Sequence, residues 1–162
     1  MTVEDGTGLA DANSYISLAD ADGYHAEVGN TEWSDATASD REAALITATR
    51  WLDSRYRTRW IGTRGSRAQA LDWPRWDAFD ADRYQIVGVP REVQHATAEA
   101  ALFVIQGEDL NAPLERGGAV VREKIGPIDT EYATGAPAGT VYPSVTSLLR
   151  GVVHGPGVRI TR

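Results

Sequence analysis

The sequence predicts a mainly α protein, a small helical bundle carrying one β-hairpin and extended N- and C-terminal arms. Three observations lead there. Apolar residues recur at helical spacing behind recognisable caps in four stretches, one later stretch alternates strictly about Gly126-Pro127, and the two ends show no helical period. At 162 residues, with 42% hydrophobic and 24% charged side chains, the chain suits a single domain with its own core.

Residues 1–16, rich in small polar groups and containing Gly6 and Gly8, read as an extended arm, and 17–110 as the helical core. The first helix starts at Ser17, where Asp20 stands three residues on as in a capping box. It continues through Leu18, Ala21, Tyr24 or His25, and Val28, and stops at Gly29. A stronger box at Ser39 and Glu42 opens a longer helix, with Ala44, Leu45, Ala48, Trp51, Leu52, Arg55 and Tyr56 on one broad stripe. Residues 57–89 are long for a bare connection; Ser66 and Gln69 suggest a short capped helical turn, packed through Trp60, Leu71, Trp73 and Trp76. Pro90 is placed as the first residue of the next helix, which buries Val93, Ala96 or Thr97, Ala100 and Val104 and ends at Gly107.

The period then changes. In the hairpin expected over 119–133, Val121, Glu123 and Ile125 alternate with Arg122 and Lys124, and Ile128, Thr130 and Tyr132 alternate with Asp129 and Glu131. A turn at Gly126-Pro127 sets Lys124 opposite Asp129, Arg122 opposite Glu131, Ile125 opposite Ile128 and Val121 opposite Tyr132. Exposed charge pairs of this kind are worth about 0.2 to 1 kcal/mol each, and a lone two-stranded ribbon is marginal in water, so it needs a surface to lie against. A last helix over 143–154 begins at Pro143 and carries Val145, Leu148, Leu149 and Val152. The tail 155–162 alternates and could add to another chain's strand through Val158 and Ile160.

Cysteine is absent, which removes disulfides, thiolate metal sites and thiol nucleophiles together. No stretch approaches the roughly 20 apolar residues of a membrane span, and the start Met1-Thr2-Val3-Glu4-Asp5 lacks the regions of a signal peptide. The expectation is a protein that stays where it is made, or in a particle assembled there, with no membrane partner.

No nucleophile elbow, phosphate loop with Lys, H-E-x-x-H or Cys/His cluster occurs, so no catalytic, cofactor or metal residue is assigned and the chain is expected not to be an enzyme. His25, His95 and His154 lie far apart and read as packing or surface residues. Asp20 and Asp22, and the trio Asp77, Asp80 and Asp82, miss the calcium-loop spacing and read as turn and helix-start acids. Gly62-Thr63-Arg64-Gly65 matches the backbone-clamping loop of one RNA-binding module, a match that counts only if a helix pair brackets it.

The net charge of −7 is unevenly spread. Residues 1–49 hold ten acids and one Arg, residues 50–76 hold seven Arg and two Asp, and the remainder carries −3. The basic island interleaves Arg55, Arg57, Arg59, Arg64 and Arg67 with Trp51, Trp60, Trp73 and Trp76, the mixture used to bind single-stranded DNA. The competing explanation is structural: Trp51 sits on a buried stripe, Trp60 and Trp73 are large enough to close a core around a long connection, and the arginines meet acids or line a channel.

The order of features is informative as a set. Gly8-Leu9-Ala10-Asp11-Ala12-Asn13-Ser14-Tyr15 precedes Ala44-Leu45 to Leu52-Asp53 and Gln69-Ala70-Leu71-Asp72-Trp73-Pro74-Arg75. Val89-Pro90, Arg122-Glu123-Lys124-Ile125-Gly126-Pro127-Ile128 and Tyr142-Pro143 to Leu148-Leu149 follow. Together they resemble the head-tail adaptors of long-tailed bacteriophages and gene transfer particles, the group also labelled DnaT-like single-stranded DNA-binding proteins. The resemblance implies a structural virion protein of the neck, assembled in the host cytoplasm into a homo-oligomeric ring of about twelve copies. Its implied partners are the portal protein, tail or head-completion proteins, and genome DNA passing non-specifically through the channel; it supplies no catalytic residue. Assembly contacts are then expected at Val121, Arg122, Lys124, Ile125, Ile128, Asp129, Glu131 and Tyr132 of the hairpin and at Val158 and Ile160 of the tail. In the alternative, Arg55, Arg57, Arg59, Trp60, Arg64 and Arg67 face DNA.

Overall fold

The computed structural model describes residues 1–112 and 140–155, and the backbone of 120–124 and 129–132. Helix α1, Leu18–Val28, is capped as its sequence requires: the Ser17 hydroxyl accepts from the Asp20 N–H at 3.1 Å, and Gly29 closes it at φ 74°. A short α2, Thr31–Asp35, follows in a stretch with no helical period; it buries Trp33, whose indole N–H donates to Asp22.

Helix α3, Ala38–Tyr56, starts two residues before the expected box. Thr37 is its cap, accepting from the Asp40 N–H at 3.2 Å and donating to the Asp40 carboxylate at 2.7 Å. Both pairs have the right spacing, and at Thr37, nearer the end of α2, the hydroxyl supplies the acceptor for an orphan N–H of the first turn. The buried stripe is as expected at Ala44, Leu45, Ala48, Trp51, Leu52 and Tyr56, but Arg55 is exposed and Asp53 is buried.

Helix α4, Arg91–Ile105, uses Pro90 as cap rather than as first residue. Ala96, Thr97, Ala98, Ala100 and Ala101 are all buried, so the helix is enclosed on most of its circumference. Short side chains let α1, α2, α3 and the last helix approach it closely, with the α3–α4 pair the principal contact. Helix α5, Pro143–Leu148, runs on as a 3₁₀ turn through Gly151, shorter than the helix expected to 154. Val153 instead bridges Trp60 in antiparallel fashion, and the Ile61 N–H donates to the Val152 carbonyl at 3.2 Å. Pairing with the 57–62 segment satisfies backbone groups that further helix would have left facing the core.

Residues 57–89 form a folded connection without the expected helical turn. Ser66 and Gln69 are joined, but by the Gln69 side-chain oxygen accepting from the Ser66 N–H at 2.6 Å within a bend. Strands β1, Thr63–Arg64, and β2, Arg75–Trp76, pair antiparallel, which places the Gly62–Gly65 match in a ribbon and not between helices. Gly62 has φ 67°, and a Cβ there would lie 2.4 Å from the Trp76 carbonyl oxygen, so no larger residue fits. Beyond β2 the chain doubles back, Phe79 pairing with Gln85 and the Ile86 N–H meeting the Ala78 carbonyl at 2.9 Å.

The N-terminal arm has no helix, as expected, yet it lies on the body. The buried Glu4 carboxylate accepts from the N–H groups of Gly6, Gly8 and Leu9 at 3.0, 2.8 and 2.9 Å, and Ala12, Tyr15 and Ile16 enter the core.

The hairpin comprises β3, Val120–Lys124, and β4, Asp129–Tyr132. Lys124–Asp129 and Arg122–Glu131 are in the expected register, but Val120, not Val121, stands opposite Tyr132. A bulge at Val121 takes up the extra residue, which a two-stranded ribbon tolerates because no third strand holds its register. The turn between the strands and the tail beyond Gly155 lie outside the described residues, and with them Ile125, Ile128, Val158 and Ile160.

Candidate functional site

The Trp/Arg segment is where sequence placed the strongest chemistry, and the structure separates its members. Trp33, Trp51, Trp60 and Trp73 are buried; Trp76 alone of the five is exposed. Trp60 packs its ring 5.5 Å from Tyr56 and 6.0 Å from Trp73, sealed by the strand pairing at Val153. It faces no solvent, so its assignment as a DNA-facing residue is corrected: closing the core around 57–89 consumes the surface that stacking on a base requires.

Three arginines fasten the connection from inside the same chain. Arg59 donates twice to the His154 carbonyl, at 3.2 and 3.1 Å, and lies 5.3 Å from the centre of the Tyr56 ring. Arg64 donates to the Gln69 and Leu71 carbonyls and stands 3.8 Å from Asp72. Arg75 reaches the Ile61, Asp72 and Gly62 carbonyls at 2.6, 3.1 and 2.9 Å. Guanidinium, with five donors in a fixed fork, suits a connection whose carbonyls lack a sheet. Arg57 points outward and meets Asp72 at 3.4 Å, while Arg55 and Arg67 are exposed with no carboxylate partner among the described residues.

A cluster that sequence reasoning did not single out joins three distant segments. The Tyr15 hydroxyl donates to one oxygen of Asp53 and accepts from the Asp72 and Trp73 N–H groups at 3.0 and 3.2 Å. The other Asp53 oxygen accepts from the Asp72 N–H at 3.2 Å. Tyr15, Asp53 and Asp72 are all buried. Burial pushes the Asp53 carboxyl up to about 7, and the nearby Asp72 charge adds to it, while the Tyr15 hydrogen bond pulls the other way. Burial likewise raises the Tyr15 phenol well above its usual value, with the Asp53 charge adding to it. The available signal was an acid on the buried stripe of α3, one turn beyond Thr49.

Asp53 borders a recess of about 510 Å³ lined also by Arg50, Ser54 and Arg57 of α3 and by Asn13 and Leu71. A buried carboxyl pair beside a recess is how an acid-only active site would be built. Here both Asp53 oxygens are held by the Tyr15 hydroxyl and a backbone N–H, so the arrangement ties arm, helix and connection together. Among the described residues no three His, Asp or Glu side chains gather to hold a metal ion. His25 is a buried packing residue, its Nε2 on the Ala98 carbonyl at 3.1 Å and its Nδ1 on the Asn30 amide at 2.9 Å.

On the hairpin, the backbone brings Arg122 opposite Glu131 and Lys124 opposite Asp129. Among the described elements the two strands contact each other and no helix packs substantially on either. No described helix is long and apolar enough to cross a membrane.

A family model described as "Putative DnaT-like ssDNA binding protein" matches residues 1–162. No curated protein and no solved structure matches the chain.

Proposed function

The chain belongs to that DnaT-like family over its whole length, and from this premise we propose that it is a structural connector, a head-tail adaptor whose ring of copies joins the portal of a phage-like particle to its tail. The observation that carries the proposal is the β3–β4 ribbon, which has strand pairing but no described helix to lie against. Two strands alone are marginal in water, so a ribbon of this kind gains its stability from a neighbour. The internal use of Arg59, Arg64 and Arg75 supports it further, since those side chains donate to carbonyls of their own chain and fasten the connection to the body. Asp53 and Asp72 serve the fold in this account, and no reaction is assigned to them.

The test is native mass spectrometry of the full chain, alone and with a phage portal ring. A closed ring on the portal is the expected result. A chain that stays monomeric and never docks refutes the connector.

The family's description favours a second function, binding of single-stranded DNA. With Trp60 inside, the surface left for it in the Trp/Arg segment is the exposed Trp76 with the exposed Arg55, Arg57 and Arg67. Titration of an oligonucleotide at two salt concentrations decides it: affinity that falls with salt and with Trp76→Ala supports it, and no measurable binding at low salt removes it.

A further inference from the structure

Among the described residues seven large hydrophobic side chains are exposed, and four of them fall within residues 76–87: Trp76 at 61%, Phe79 at 49%, Tyr84 at 73% and Val87 at 82%. That stretch is a folded lobe. The Asp80 N–H meets the Tyr84 carbonyl at 3.0 Å, the Arg83 N–H meets the Asp80 carbonyl at 3.1 Å, and the Asp80 carboxylate accepts from the Asp82 and Tyr84 N–H groups at 3.0 and 2.8 Å. Its tip is acidic. Asp77, Asp80 and Asp82 are exposed and none pairs with a cation among the described residues, leaving the lobe at −2 with Arg83 counted.

A surface of opposite character lies on α3. Arg50 and Arg57, two helical turns apart on one face, flank the recess that Ala12, Asn13, Asp53, Ser54, Ala70 and Leu71 complete. Arg50 has no carboxylate partner among the described residues, and Arg57 leans on Asp72 only at 3.4 Å. The recess is large enough for a Tyr side chain and its neighbours, and its rim is cationic.

We propose that the acidic, aromatic lobe 76–87 of one copy of this chain seats in the Arg50–Arg57 recess of another. This rests on the connector reading and names the surfaces by which its copies join. Exposed Tyr and Trp groups in one patch are the residues that carry binding energy at protein interfaces, and opposite charge sets register and excludes wrong pairings. Three carboxylates at the tip repel a phosphate backbone, which argues for a protein occupant over a nucleic acid. Because lobe and recess are different surfaces, the contact is head-to-tail, the kind that closes into a ring or runs on as a filament.

Native mass spectrometry of the full chain and two variants tests it. Asp82→Arg with Tyr84→Ser disables the lobe, and Arg50→Glu disables the recess; all three positions are exposed, and thermal melts check that folding is kept. Each variant alone should be monomeric, its dissociation constant raised on the order of a hundredfold or more. Mixed, the two should give one-to-one heterodimers and nothing larger, since each retains one working surface. Either variant assembling as the wild type does overturns the lobe-recess contact and leaves the connector standing. A wild type that neither self-associates nor docks on portal overturns both. An oligonucleotide complex lost on Tyr84→Ser alone would assign the lobe to nucleic acid and overturn the contact.

Discussion

Tyr15→Phe removes one buried oxygen and disturbs three chain segments at once. The ring stays, so the core keeps its volume, and the loss is confined to hydrogen bonds. The Trp73 N–H, 3.2 Å from the hydroxyl, is left without its acceptor, while the Asp72 N–H keeps Asp53. An orphaned buried donor costs about 1–3 kcal/mol, and the hydrogen bond to a charged carboxylate adds about 1.5–3 kcal/mol when Asp53 is ionised. The second part depends on pH. The Tyr15 hydroxyl favours the charged form of Asp53, whose carboxyl titrates at about 7. Above that value the substitution should cost roughly 3–5 kcal/mol; well below it, with Asp53 protonated, the loss should shrink towards the orphaned donor alone. Urea unfolding followed by tryptophan fluorescence, at a pH two units either side of 7, measures both. A loss under about 1 kcal/mol at each pH, or an equal loss at the two, would refute the account of this cluster.

Other expectations follow from the same geometry. In the wild type, Asp53 has a folded-state value raised above the ordinary 3.8, so its contribution is fully present below that value and is lost as pH rises through about 7; Asp53→Asn should flatten that slope. His25 behaves oppositely: burial lowers its folded-state value, so stability present above the ordinary 6.5 is lost as pH falls, and His25→Gln should remove the acid-side decline in a pH series of thermal melts. Trp60→Ala should cost about 3–5 kcal/mol in urea unfolding as a core truncation, while Arg67→Ala leaves stability within about 0.5 kcal/mol. Thr37→Ala should cost about 1 kcal/mol and Ser39→Ala much less; the reverse order would place the cap of α3 at Ser39.

Much of the helical layout was legible because caps and apolar spacing are local signals. Ser17, Gly29 and the stripe from Ala44 to Tyr56 act through residues three and four positions away, and sequence displays those directly. The cap at Thr37 was missed by two residues because Ser39 offers the same spacing, and only the geometry after α2 chooses between them. What lay beyond local signals was settled across the chain. Trp60 reads as a stacking platform until Val153 covers it, and Arg59 reads as a free cation until the His154 carbonyl takes its donors. Asp53 was visible as an acid among apolar residues, but its partners Tyr15 and Asp72 lie 38 and 19 positions away, and no periodicity connects them. On the hairpin the charge pairs were legible from alternation, whereas the bulge at Val121 is a backbone choice that leaves no mark in the pattern.

The seam between Trp60 and Val153 bears on the order in which the molecule can be made. Arg59 and His154 are 95 positions apart, and Tyr56 meets Thr146 across 90. Tyr142 supplies the ring that stands 5.5 Å from Trp51 and 4.7 Å from Phe103. While the ribosome has yet to release residues 142–154, helices α3 and α4 can pair, but one flank of that pair, with Trp51, Trp60 and Phe103, stays wet. The nascent protein is therefore open to proteases and chaperones until residues 142–154 have emerged and covered that flank. A chain cut before Tyr142 would keep α1 to α4 and lose the ring that stands against Trp51 and Phe103 together with the strand that covers Trp60.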